Sequence, residues 1–142
     1  MAILLKDACE AASPEDGARV LVDRRRPRGV ARDALTLRKW LPELAPSQEL
    51  QHWFDESRTR WPLFQRRYMA ELCGEKAVQA LNKLEAMAAH AKQMTLLTSA
   101  EDVERSHAAV LRDLLEGVKK PPATSGPARA AASGRIRARR PR

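Results

Sequence analysis

Asp23, Arg24, Arg28, Ser99 and His107 are the side chains of this 142-residue chain whose types and spacing could do chemistry. The acid and the arginines come together in "DRRRPR", residues 23–28, directly after the apolar run Val20, Leu21, Val22. An imidazole oriented by a carboxylate can give and take protons, so His107 and Asp23 form the candidate catalytic pair. Arg24 and Arg28 offer forked donors that suit a phosphate or carboxylate, and the Ser99 hydroxyl completes a candidate ligand-binding set. A purely structural reading competes at every position. Asp23 paired with Arg24 or Arg28 would only anchor a loop, and His107 lies on an apolar face where a hydrogen-bonded core histidine also fits.

These residues can meet only if strands deliver them to one edge. "AILLK" reads as a first strand, and "ASPEDG" carries the residues of a turn. "ARVLVD" is a second strand whose continuous apolar centre suits burial on both faces, and "QMTLLTSA" is a third of the same kind. In an open α/β sheet, ligands bind beyond the carboxyl ends of the strands. Asp23 and Arg24 occupy that end of the second strand, and Thr98 and Ser99 that end of the third.

Between them, Pro42 and Pro46 keep "LRKWLPELAPS" partly extended. Ser47 is an N-cap for a helix over "QELQHWFD". The next helix starts at Trp61 with Pro62 in its first turn, and places Phe64, Tyr68 and Leu72 on one stripe. Gly74 separates it from a helix with Val78, Leu81, Leu84, Ala88 and Ala91 toward the core. A last helix follows "SAED", with Val103, His107, Val110, Leu111 and Leu114 on one face and Glu101 and Asp102 at its cap. The pattern predicts a single α/β domain with a small, mainly parallel sheet flanked by helices.

The net charge of +8 is not spread over that domain. Residues 119–142 hold two lysines, six arginines and no acid, which accounts for the whole excess, and residues 1–118 are neutral. The tail is rich in Pro, Gly, Ala, Ser and Arg, so disorder is expected from 119 onward, with the domain ending near Val118. Such a tail would bind nucleic-acid phosphates non-specifically, or would serve only as a solubilising extension.

No apolar run is long enough for a membrane span, and a cytoplasmic location with no membrane partner is expected. Cys9 and Cys73 lack C-x-x-C or metal-ligand spacing, so small buried thiols, no metal and no cofactor are expected. The aromatics Trp40, Trp53, Trp61, Phe54, Phe64 and Tyr68 fit core packing better than a base-stacking surface. Arg66 and Arg67 read as a solvated helix edge.

Five stretches, "SPEDG-RVLVDR", "PRGV", "WL-ELAPS-EL--WF", "RW--F-RRY-AEL" and "LL-SA-D---SHA-VL", occur in an order that resembles the domain of unknown function 488 family, in its short YeaO-like branch. The resemblance spans roughly residues 3–117. It implies a compact α/β domain; the activity of such proteins is unsettled, and the MarR-type label some carry has no helix-turn-helix here to support it. Asp23, Arg24, Pro27, Arg28, Gly29 and His107 match the family pattern. Arg25 and Arg26 stand where leucine and tryptophan are typical, Thr98 where an aromatic residue is, Glu101 where a basic residue is common, and Ser106 where asparagine often is. By that comparison a shared pocket would keep its charged frame and lose part of its aromatic lining. Three functions follow: a pocket for a small anionic ligand or for catalysis at the strand ends, nucleic-acid association through the tail, or a non-catalytic partner-binding domain with an aromatic patch at Trp40 or Trp53.

Overall fold

The computed structural model describes residues 3–27 and 35–117. Four strands, β1 (Ile3–Asp7), β2 (Ala18–Leu21), β3 (Lys39–Trp40) and β4 (Met94–Thr98), form one sheet in the order β1-β4-β2-β3. Every pairing is parallel. β4 lies between Ile3↔Met94 to Asp7↔Thr98 on one side and Ala18↔Met94 to Leu21↔Leu97 on the other. Backbone bonds from Ala8 N to the Thr98 carbonyl (2.9 Å) and from Val22 N to the Leu97 carbonyl (3.2 Å) carry the ladders past the strand ends. All five residues of β4 are buried, as an apolar run in a parallel sheet requires. The expected α/β class with a small parallel sheet is therefore the observed one. The extended segment before Pro42 adds a short edge strand, with Val20 opposite Lys39 and Leu21 opposite Trp40.

Helices α1 (Gln48–Glu56), α2 (Trp61–Glu71) and α3 (Glu75–His90) fill the connection from β3 to β4, and α4 (His107–Glu116) follows β4. Ser47 caps α1 by accepting from Leu50 N at 3.1 Å. Glu71, at the end of α2, accepts from Ser47 N at 2.8 Å and from Ser47 Oγ at 2.6 Å, which locks the two helices together. Phe54, Phe64 and Tyr68 are fully buried and stacked, with centroids 4.5 and 6.0 Å apart. The Tyr68 hydroxyl donates to the Leu44 carbonyl at 2.6 Å. Burial, then the carboxylates of Glu71 and Asp23, push the Tyr68 phenol well above its ordinary range, so it stays a donor.

Three expectations are corrected. The buried face of α3 is Ala80, Leu84 and Ala88, while Val78 is exposed because six residues turn it about 120° from Leu84. Cys9 and Cys73 are both exposed, since each lies in a turn or loop beside an element and not on its inner face. Asp102 caps a 3-10 turn over Val103–Arg105, accepting from Glu104 N at 3.2 Å, and α4 itself begins later, at His107.

The turn before β2 holds a buried ion cluster. Asp16 accepts from Arg19 Nη1 at 2.6 Å, Lys6 Nζ at 3.0 Å and Ser13 N at 3.0 Å, and Arg19 Nε donates to the Leu35 carbonyl at 2.8 Å. Burial raises the Asp16 carboxyl, but the Ser13 backbone, Lys6 and Arg19 outweigh it and hold the pKa down to about 2. Gly17 follows at φ 63°, where any Cβ would strike the Gln93 carbonyl.

Packing divides the chain within α4 into two units, Met1–Arg112 and Asp113–Arg142. In the second, the described part is the last turn of the helix, and the expected boundary at Val118 and the tail 119–142 lie outside the described residues. Among the described residues no helix is long and apolar enough to cross a membrane.

Candidate functional site

A cavity of about 770 Å³ opens beyond the carboxyl ends of β1, β2 and β4. Cys9 reaches it from the end of β1, residues 23–27 from the loop after β2, and residues 98–101 and 105–107 from the segment between β4 and α4. The opposite wall is Pro46, one face of α1 with Gln48, Gln51 and Asp55 at helical spacing, and Arg58 from the 3-10 turn Arg58–Arg60 that follows the helix. Asp23 and Arg24 from one end of the chain and Ser99 and His107 from the other all line this one space. Arg28 lies outside the described residues.

Parallel pairing of β2 with β4 sets Asp23 against Thr98 and Ser99. Asp23 Oδ1 accepts from Thr98 Oγ1 at 2.7 Å, and Oδ2 accepts from Ser99 N at 2.8 Å and Ser99 Oγ at 2.7 Å. His107 Nε2 lies 3.4 Å from Asp23 Oδ1 and 2.9 Å from the Val22 carbonyl. A carbonyl only accepts, so Nε2 carries the ring proton and donates it to Val22. Burial raises the Asp23 carboxyl, but the His107 contact and the Ser99 and Thr98 donors hold it below the usual carboxylate range. The His107 ring is 5% exposed and meets the edge of Tyr68 at 5.8 Å.

Chemically this is a saturated clasp. Both Asp23 oxygens are occupied by donors, the Ser99 hydroxyl is committed to Asp23, and the imidazole nitrogen nearest the acid is a donor already in use. Arg24 does not pair with Asp23, as an anchoring reading would have it. Its Nη2 donates to the Pro46 carbonyl at 3.0 Å, tying the loop to the start of α1, and the Trp40 indole donates to the Asp23 carbonyl at 2.8 Å.

The charge of the lining is uneven. Arg24, Arg25, Arg26, Arg58 and Arg105 face Asp23, Asp55 and Glu101. Asp23 is held by its clasp, and Asp55 is bound by Gln51 Nε2 at 2.9 Å and by Arg58 Nη2 at 3.3 Å. The side chains of Arg25, Arg26 and Arg105 are exposed and make no hydrogen bond or ion pair among the described residues. Among the described residues no group of three or more His, Cys, Asp or Glu could hold a metal.

Sequence reasoning placed the clasp residues at one edge but missed the polar lining groups Gln48, Gln51, Asp55, Arg58 and Arg105. For the three on α1 the signal was the spacing 48, 51, 55 on one helix face, visible only once that helix faces the strand ends; Arg58 and Arg105 come from 3-10 turns and carried none. Arg66 and Arg67 are exposed, as a solvated helix edge should be, and the Arg67 guanidinium also sits 4.1 Å from the Trp53 ring centroid, with Arg60 at 4.9 Å.

Comparison with known proteins gives a family match over residues 2–131 to DUF488-N3i, described as the inactive DUF488-N3 subclade. The uncharacterised protein Rv3073c of Mycobacterium tuberculosis is 40% identical over 108 residues, 76% of this chain and 88% of that protein. The uncharacterised protein YeaO of Escherichia coli is 36% identical over 118 residues, 83% of this chain and 100% of that protein. No solved structure matches the chain.

Proposed function

The chain belongs to the DUF488 family, in the subclade described as inactive DUF488-N3, and from that premise we propose that it is a non-catalytic domain that binds a small anionic ligand. The observation that carries the reading is the set of guanidinium groups Arg25, Arg26 and Arg105, which have no side-chain partner among the described residues, on a cavity where Asp23 and Asp55 are held by other donors and only Glu101 opposes them. Guanidinium forks bind phosphate and carboxylate bidentately, and a concave site strengthens their field. Asp23 and His107 serve this site as wall and clasp. With Nε2 donating to Val22, the neutral ring has no lone pair on that nitrogen to accept a proton beside Asp23. The description of the subclade as inactive agrees with a site that holds rather than transforms.

The test is a thermal-shift series on the full chain with inorganic phosphate, pyrophosphate and phosphorylated or carboxylated metabolites. A ligand at 100 times its Kd should stabilise the fold by about 2.7 kcal/mol, and the shift should vanish in the Arg25→Ala/Arg26→Ala variant. A midpoint that no anion moves would overturn the reading.

A further inference from the structure

We infer that the anion bound in this cavity is the phosphate of a nucleotide, whose base lies against α1; this rests on the anionic-ligand reading above. The volume is the first reason. About 770 Å³ is the size of a site for a drug-sized ligand, and a lone phosphate would leave most of it empty. The second reason is that the two walls differ in chemistry. The loop after β2 presents guanidinium groups, Arg25 and Arg26, whereas α1 presents amides and the turn just after it a flat cation, Arg58.

On α1, Gln51 uses Nε2 to hold Asp55 at 2.9 Å, which fixes its amide and leaves Oε1 as an acceptor. Gln48, one turn earlier, makes no side-chain hydrogen bond among the described residues and offers both a donor and an acceptor. A nucleobase edge presents that mixture of donors and acceptors; a simple sugar phosphate or carboxylic acid does not present it on a flat ring.

Arg58 supplies the flat surface. Its guanidinium carbon lies 5.0 Å from the centroid of the buried Phe54 ring, and Asp55 holds it from the side at 3.3 Å. A guanidinium backed on one face by an aromatic ring and still 38% exposed is a stacking platform for a base. The phosphate at the loop and the base at the helix then span the two walls.

The experiment is isothermal titration of the full chain with AMP, GMP, CMP and UMP, each compared with ribose 5-phosphate, which has the same phosphate and sugar but no base. At least one nucleotide should bind about tenfold tighter than ribose 5-phosphate, the value of one stacked base. Arg58→Ala and Gln51→Ala should each lower that nucleotide's affinity more than they lower that of ribose 5-phosphate, while Arg25→Ala should weaken both alike. Equal binding of ribose 5-phosphate and every nucleotide would overturn the base contact and leave the anion site standing. Binding of none of them, with no response to phosphate or pyrophosphate either, would overturn both.

Discussion

At the scale of single residues, two aspartates that look alike in the sequence hold different parts of the fold. Asp23 gathers Thr98, Ser99 and His107; Asp23→Ala should cost about 1–3 kcal/mol in urea denaturation, because it strips the partner from the buried Thr98 hydroxyl. Asp16 neutralises Arg19, which is 3% exposed, so Asp16→Asn should cost about 3–5 kcal/mol by leaving a buried guanidinium without its counter-charge. Both carboxyls titrate below their unfolded value. Their stabilisation is therefore complete above pH about 4 and is lost as the pH falls below it, for Asp16 toward about 2. Acid unfolding followed by circular dichroism should fall less steeply with pH between about 4 and 2 in Asp16→Asn than in wild type, and an equal slope would remove Asp16 from the account. Asp23, Ser99 and His107 could be brought together from sequence because two apolar strands of parallel sense must deliver their carboxyl ends to one edge. The Asp16 cluster could not, because its partners Lys6 and Leu35 come from other elements and the residues 13–17 read only as a turn.

Elements were legible where a local rule sets them. Ser47 as N-cap and Pro62 at the start of α2 both stand where side-chain chemistry places them. The face of α3 was not, since alanines carry too little hydrophobic contrast to fix a stripe, and Val78, apolar but outward-facing, blurs the one that Leu84 marks. Between elements the sequence is silent, and the Ser47 to Glu71 lock is the example: twenty-four residues separate a cap from the acid that holds it. Ser47→Ala and Glu71→Ala should each cost about 1 kcal/mol. A double-mutant cycle should return a coupling of about 0.5–3 kcal/mol, and additive effects would show that the two helices do not depend on that bond. Gly17→Ala tests the turn in the same way. With φ at 63° and the Gln93 carbonyl in the path of a Cβ, it should lose about 1–3 kcal/mol.

For the whole molecule, the distribution of charge separates two ways of meeting phosphate. Residues 1–118 are neutral in sum yet place five arginines on one cavity, whereas residues 119–142 carry eight positive charges and no acid. A tail of that composition is expected to bind DNA or RNA without sequence preference, and counterion release sets how strongly salt opposes it. If all eight charges engage duplex DNA, the logarithm of affinity should fall against the logarithm of salt with a slope no steeper than about −7. Fluorescence anisotropy on the full chain and on a chain lacking residues 119–142 decides the matter: deletion should abolish most of the binding and nearly all of the salt dependence. Undiminished binding by the truncated chain would move nucleic-acid contact to the body, and Arg25→Ala/Arg26→Ala in that background would then say whether the cavity arginines supply it. Loss of binding on truncation, with phosphate still shifting the melting midpoint of the truncated chain, would assign polymer contact to the tail and small anions to the cavity.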